Sequence, residues 1–240
     1  MKSIARYLVK SACLLGLSGI AACSTQAPPP PGPGGADQRR ELAARVRARP
    51  ELAVLFVGNS YSFGVPKAFA KIAAAHGKKV RAGHATNGGW TLKLHAENAA
   101  TLRKIREGRW DIVVIQEYSE IPAMPAGKRA AVMFPPLRQL AAEARRQGAI
   151  PVLYQTWGRR DGDKDVRHDD FRAMTLRLRA GYQAAARNAG GLVVVPVGDA
   201  WEREVAAGRG GGLFMEDGSH PTALGNSLTA GVFFETFCGK

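Results

Sequence analysis

An α/β fold of three layers, with helices on both faces of a five-stranded, mainly parallel sheet, follows from three features of the sequence. Five short apolar runs alternate with segments whose apolar residues recur at three- and four-residue spacing, and strict strand–helix alternation implies parallel strands joined by crossover helices. Runs such as "DIVVIQ" and "GLVVVPVGD" are apolar on both alternations, as in strands covered on both faces. Three of the four long helical segments stop at glycine, the usual C-terminal punctuation of a helix.

The first elements precede this pattern. Lys2, Arg6 and Lys10 lead into "SACLLGLSGIAA", which is too short for a stable membrane span and ends at Ile20-Ala21-Ala22-Cys23. Residues 1–22 are expected to be a signal peptide. The small residues before Cys23 resemble a bacterial lipobox, which implies lipidation of Cys23. Ser24 behind it implies an outer-membrane anchor facing the periplasm. Residues 23–50 begin "CSTQAPPPPGPGG" and are expected to form a Pro/Gly-rich tether. Residues 51–240 are then one domain, long enough to bury a core.

Strands are expected at 53–57, 80–84, 112–116, 151–155 and 192–197. Helices fall in "VPKAFAKIAAAHG", "TLKLHAENAATLRKIREG", "GKRAAVMFPPLRQLAAEARRQG" and "HDDFRAMTLRLRAGYQAAARNAGG". Pro135-Pro136 predicts a break in the third of these, and a last helix is expected from about Pro221-Thr222. His76 and His95, within helical segments, are expected at the surface or between helices.

Composition narrows the function. The formal net charge is +14, but Lys and Arg are scattered along amphipathic segments without interleaved aromatics, so no nucleic-acid partner is expected. Of three cysteines, Cys13 leaves with the signal, Cys23 takes the lipid and Cys238 has no partner, so neither a disulfide nor a cysteine metal site is expected. The alternating acids of "DGDKDVRHDD" lack the central Gly and closing Glu of a calcium loop and read as a solvated loop. No metal or organic cofactor is expected.

Ligands of parallel sheets gather beyond the carboxyl ends of the strands, and chemistry-bearing residues cluster there. Ser60 ends the first strand in "FVGNSYS"; taken alone, Gly58-Asn59-Ser60 reads as a helix cap. No dinucleotide, P-loop or Gly-x-Ser-x-Gly pattern surrounds it. Asp217 and His220 sit three apart in "MEDGSHP", where an acid and an imidazole could activate a serine. Gly88-Gly89 follows the second strand and offers an unobstructed amide. Gln116 ends the third strand with a side-chain amide that needs partners. Asn59 and Trp157, on the same edge, are candidates to line a substrate pocket.

The order Ser, Gly, amide donor, Asp-x-x-His resembles the SGNH (GDSL-type) hydrolase superfamily, within a bacterial lipoprotein branch with a GNS turn and a DGSHP block. The resemblance covers nearly the whole globular part. It implies a flavodoxin-like sheet, Ser60 as nucleophile, His220 as base and Asp217 as its orienter. It further implies an oxyanion hole from the Ser60 and Gly89 amides and the Gln116 side chain. Two departures stand out: Asn59 occupies the usual Asp position, and "QEYSE" replaces the Gly-x-Asn-Asp motif, leaving Ser119 and Glu120 as rivals to Gln116. The implied activity is hydrolysis of a short acyl ester, above all an acetyl group on a glycan. The alternatives are a lipase or thioesterase, and a non-catalytic envelope lipoprotein that binds glycans.

Overall fold

The computed structural model describes residues 35–239; the expected signal segment, Cys23 and the first part of the tether lie outside them. The strands are β1 (Glu51–Gly58), β2 (Lys79–Thr86), β3 (Ile112–Ile115), β4 (Ile150–Tyr154) and β5 (Val193–Val195), in the order β2-β1-β3-β4-β5. Every pairing is parallel, so the sheet is wholly rather than mainly parallel. This is the flavodoxin-like order, and its switch point lies between β1 and β3.

Period-two alternation sends Leu52, Val54 and Phe56 of β1 to one face and Ala53, Leu55 and Val57 to the other. Both sets are buried. The first face is covered by α1 (Gly35–Ala48), α2 (Val65–Ala75), α7 (Val197–Ala206) and α8 (Ala223–Cys238). The second is covered by α3 (Leu92–Glu97), α4 (Ala99–Glu107), α5 (Ala126–Arg146) and α6 (Phe171–Asn188).

Three elements differ from the sequence expectation. Residues 35–48 are not tether but helix α1, which moves the start of the folded part from Glu51 to Gly35. Its buried side chains, Gln38, Leu42 and Val46, form a single stripe at four-residue spacing. The Gln38 amide donates to Pro151 O at 3.0 Å and accepts from Val193 N, stitching the helix to β4 and β5. The segment after β2 is two helices, because the Asn98 side chain accepts from Thr101 N at 2.8 Å and starts α4 afresh. Conversely, α5 runs unbroken through Pro135-Pro136. Met133, Pro136, Leu137 and Leu140 continue one buried stripe across the prolines, and that burial outweighs an interior-proline cost of about 3 kcal/mol.

Candidate active site

At the carboxyl edge of β1 the chain turns into one 3₁₀ turn, Ser60–Ser62, capped by the Asn59 side chain accepting from Tyr61 N at 3.2 Å. Ser60 Oγ lies 2.8 Å from His220 Nε2. The other ring nitrogen, Nδ1, lies 2.5 Å from Asp217 Oδ2. Asp217 Oδ1 accepts the amides of Ser219 and His220, both at 2.9 Å. The tight turn needs Gly218 at φ 66°. Burial opposes ionisation of Asp217, but hydrogen bonds from the His220 ring and from the His220 and Ser219 amides hold its carboxyl down at about 2. An ionised Asp217 fixes the proton on Nδ1 and leaves Nε2 as the acceptor facing the serine hydroxyl. Residues 160 positions apart in sequence thus form one Ser–His–Asp relay.

An aromatic stack holds this relay from below. The Tyr61 ring lies parallel to Trp157 at 4.8 Å and meets the His220 imidazole edge-on at 5.5 Å. Trp157 in turn stacks on Trp201 at 3.7 Å. Tyr61 Oη lies 2.5 Å from Ser219 Oγ, and Trp157 Nε1 donates to Ser219 O at 3.1 Å, so both rings grip the residue between Gly218 and His220. Trp157 is therefore not a pocket wall as expected: it is 0% exposed and buttresses the His220 turn. An aromatic at a strand end satisfies either role in sequence, and no pattern marks Tyr61 and Trp201 as its partners.

Gln116 also departs from expectation. Its side chain is fully buried and points back at the nucleophile turn. Oε1 accepts Asn59 N at 2.9 Å and Ser62 Oγ at 3.0 Å; Nε2 donates to Asn59 Oδ1 at 3.0 Å and to Glu117 O. Both amide hydrogens are committed, so Gln116 is not an oxyanion donor. Asn59, 2% exposed, lines no pocket either; its Nδ2 donates to Trp90 O at 3.1 Å. That bond accounts for Asn in place of Asp, since a carboxylate has no proton to give the Trp90 carbonyl. The same packing explains Gly58: a Cβ there would lie 2.4 Å from Gln116 Oε1.

The loop after β2 sits beside the serine. Asn87 N donates to Gly58 O at 3.2 Å, and exposed Gly89 takes φ 72°. Among the described residues, the amides of Ser60 and Gly89 have no protein acceptor. Ser119 is buried against the Tyr61 phenol, and Glu120 pairs with Arg159 at 2.5 Å, so neither rival replaces Gln116 as a donor. Burial raises the Tyr61 phenol above its ordinary value, against hydrogen bonds from Ser219 and Ser119.

Three features add to the sequence expectation. His95 is wholly buried, with Nε2 2.8 Å from Gly58 O and Nδ1 3.1 Å from Thr101 Oγ1, and burial lowers its pKa. Glu117 is a buried carboxyl at the end of β3; an acid directly after "IVVIQ" is its signal. Phe63, Met215 and Leu224, three, two and four residues from Ser60, Asp217 and His220 respectively, are exposed apolar side chains. The Asp-rich loop closes on itself, with Asp169 gripping Arg177 through both oxygens and Asp170 capping α6.

No protein-family model matches the chain, and no curated protein matches it in sequence. Solved structures match it in shape. A DUF4886 family protein from Bacteroides uniformis is 18% identical over 79% of this chain and 84% of its own, with a TM-score of 0.68. A catalytic mutant of an acetylxylan esterase from Geobacillus stearothermophilus is 15% identical over 79% of this chain and 95% of its own, with a TM-score of 0.58. A protein described as a GDSL-like lipase from Parabacteroides merdae is 15% identical over 79% of this chain and 96% of its own, with a TM-score of 0.56. At these identities the likeness is one of fold. The chain therefore carries the SGNH-type α/β hydrolase fold, with Ser60, His220 and Asp217 in line at its carboxyl edge.

Proposed function

We propose that the protein is a serine carboxylic ester hydrolase. The observation that carries this reading is the unbroken relay from Ser60 Oγ to His220 Nε2 at 2.8 Å and from His220 Nδ1 to Asp217 Oδ2 at 2.5 Å. His220 takes the hydroxyl proton as Ser60 Oγ attacks the ester carbonyl. The carbonyl oxygen, now negative, is held by the Ser60 and Gly89 amides, and Asp217 stabilises the imidazolium. His220 then gives its proton to the departing alkoxide. Water, activated by the same imidazole, releases the acid from the acyl-enzyme.

The favoured substrate is a short acyl ester, an acetyl group on a glycan, because the His220 and Asp217 side chains of the relay are partly exposed to solvent and one structural neighbour is an acetylxylan esterase. A longer acyl chain is the second reading. A cavity of about 620 Å³ begins at Thr91, two residues after Gly89, and is walled by Ala96, Ile121, Met124, Val132 and Pro136. Lipidation at Cys23 and an outer-membrane anchor facing the periplasm are part of the proposal and rest on the sequence alone.

The test is hydrolysis of p-nitrophenyl esters of two to twelve carbons by residues 35–240, with Ser60→Ala beside it. Activity greatest on acetate and reduced about 10³-fold or more by Ser60→Ala is expected. An optimum at eight or more carbons favours the cavity. An inert wild type, or an equally active variant, overturns the catalytic reading and leaves the glycan-binding lipoprotein. Cys23→Ala in the full chain tests the anchor: retention in the membrane fraction counts against it.

A further inference from the structure

The proposed reaction gives no task to the one carboxyl buried behind the oxyanion loop. Glu117 is 0% exposed at the carboxyl end of β3. Its Oε1 accepts two amides, Tyr118 N at 2.7 Å and Leu92 N at 2.9 Å. Its Oε2 is buried with no hydrogen-bond partner among the described residues. Leu92 opens α3, three residues after Gly89, and the intervening Trp90 O is itself held by Asn59 Nδ2. One carboxyl oxygen therefore ties the loop after β3 to the loop that presents the Gly89 amide, beside the Asn59 tie to the nucleophile turn.

We propose that Glu117 is a positioning residue for this oxyanion donor: its carboxyl, in the neutral form, clamps the Gly89–Leu92 segment against β3, and ionising it weakens catalysis. The proposal rests on the ester-hydrolase reading for its kinetic part only. The physical reason is charge. A neutral carboxyl accepts the Leu92 and Tyr118 amides without adding a negative charge behind the site where an oxyanion must form. A carboxylate there opposes that oxyanion inside a region of low dielectric.

Among the described residues, no cation stands near enough to Glu117 to relieve such a charge. Tyr182 of α6 faces the acid, with a phenol raised above its ordinary value by its own burial. His95 lies one turn along α3 from Leu92, lowered by burial, with both ring nitrogens engaged. Tyr118 is its chain neighbour. Asn59 and Ser62 of the nucleophile turn are uncharged, and Met133 and Leu137 of α5 belong to the apolar core on this face of the sheet. Burial accordingly pushes the Glu117 carboxyl up to about 7, the two amides opposing.

The experiment compares wild type, Glu117→Gln and Glu117→Ala on p-nitrophenyl acetate across neutral pH, with amide hydrogen exchange at Leu92 as a readout independent of turnover. Glu117→Ala is expected to lower kcat roughly tenfold with KM nearly unchanged, as for a lost transition-state interaction. Glu117→Gln keeps an acceptor for both amides and cannot ionise. Its kcat is therefore expected to match wild type at about pH 6, and the ratio of the two to rise roughly threefold or more by about pH 8.5. The ratio cancels every pH dependence that the two proteins share. A folded Glu117→Ala variant with wild-type kcat, or a flat ratio, overturns the proposal; if the alanine variant does not fold, the ratio alone decides. Should the wild type be inert, the ester-hydrolase reading fails separately. The clamp then stands or falls on Leu92, whose amide must lose protection in a folded Glu117→Ala variant but keep it in Glu117→Gln.

Discussion

Replacing Asn59 by Asp restores the residue usual in GDSL-type turns, and the structure predicts that it damages this protein. Asn59 Oδ1 accepts from Tyr61 N and Gln116 Nε2, while Nδ2 donates to Trp90 O at 3.1 Å. In the Asn59→Asp variant an ionised carboxylate keeps the first pair but sets two acceptors against each other at the third contact, in a site 2% exposed. The lost hydrogen bond is worth about 1 kcal/mol, and a stranded buried carbonyl costs about 2 kcal/mol more. A total near 3 kcal/mol corresponds to a fall in Tm of about 6–12 °C for a chain of this size. Urea and thermal unfolding followed by circular dichroism measure it, and kcat on p-nitrophenyl acetate should fall in parallel as the Trp90 loop, and Gly89 with it, loosens. The pH dependence gives a second check. Once protonated, the introduced carboxyl can donate to Trp90 O, so the deficit should shrink as pH falls below its raised pKa. An Asn59→Asp variant as stable as wild type at neutral pH would refute the account of why Asn stands there.

Three further outcomes are expected. Gly58→Ala drives a methyl to within 2.4 Å of Gln116 Oε1 and 3.0 Å of Ser62 Oγ, so it should cost about 1–3 kcal/mol in urea unfolding and lower kcat. Trp157→Phe removes the donor to Ser219 O and should cost about 1–2 kcal/mol, with a kcat loss exceeding any change in KM because the His220 turn is what loosens. The two shifted carboxyls of the site, Asp217 and Glu117, should together favour stability in mild acid. The ionised Asp217, held at about 2, contributes fully above the ordinary carboxylate value and loses that contribution as pH falls. Glu117, pushed up from 4.5 to about 7, costs stability progressively as pH rises between those values, by about 3 kcal/mol in all, and unfolding curves of Glu117→Gln should lack that decline.

The layer architecture is legible because strands buried on both faces leave apolar runs that no amphipathic helix imitates, as at 112–115. Ser60, Asp217 and His220 are legible because activating a hydroxyl needs those side-chain types, and an Asp three residues from a His is a compact way to supply two of them. Helix α1 is not. Its buried stripe is only three residues, one of them Gln38, and it follows directly on a Pro/Gly segment. Trp157 misleads because an indole at a strand end packs or lines with equal ease, and what decides is Tyr61 and Trp201 on either side of it. His95 does lie between α3 and α4, against Thr101, but helical spacing does not show that Gly58 O waits opposite its other nitrogen.

Asn59 for Asp and "QEYSE" for Gly-x-Asn-Asp look in sequence like two separate departures, yet in space they are one. Gln116 Oε1 accepts Asn59 N, and Gln116 Nε2 donates to Asn59 Oδ1, so each residue uses the other's donor and acceptor. A Gln at the end of β3 is long enough to reach back to the nucleophile turn, and once its amide is closed on Asn59 it has nothing left for an oxyanion. In the proposed reaction the hole rests on the backbone amides of Ser60 and Gly89, which the Asn59–Trp90 and Glu117–Leu92 ties flank. The loss of one side-chain donor is offset by a more tightly tied backbone. If that is the trade, Asn59→Ala and Gln116→Ala should couple strongly in a double-mutant cycle, since each single change already breaks the bond from Gln116 Nε2 to Asn59 Oδ1. Additive costs would mean that the two departures are independent and that the backbone hole needs another explanation.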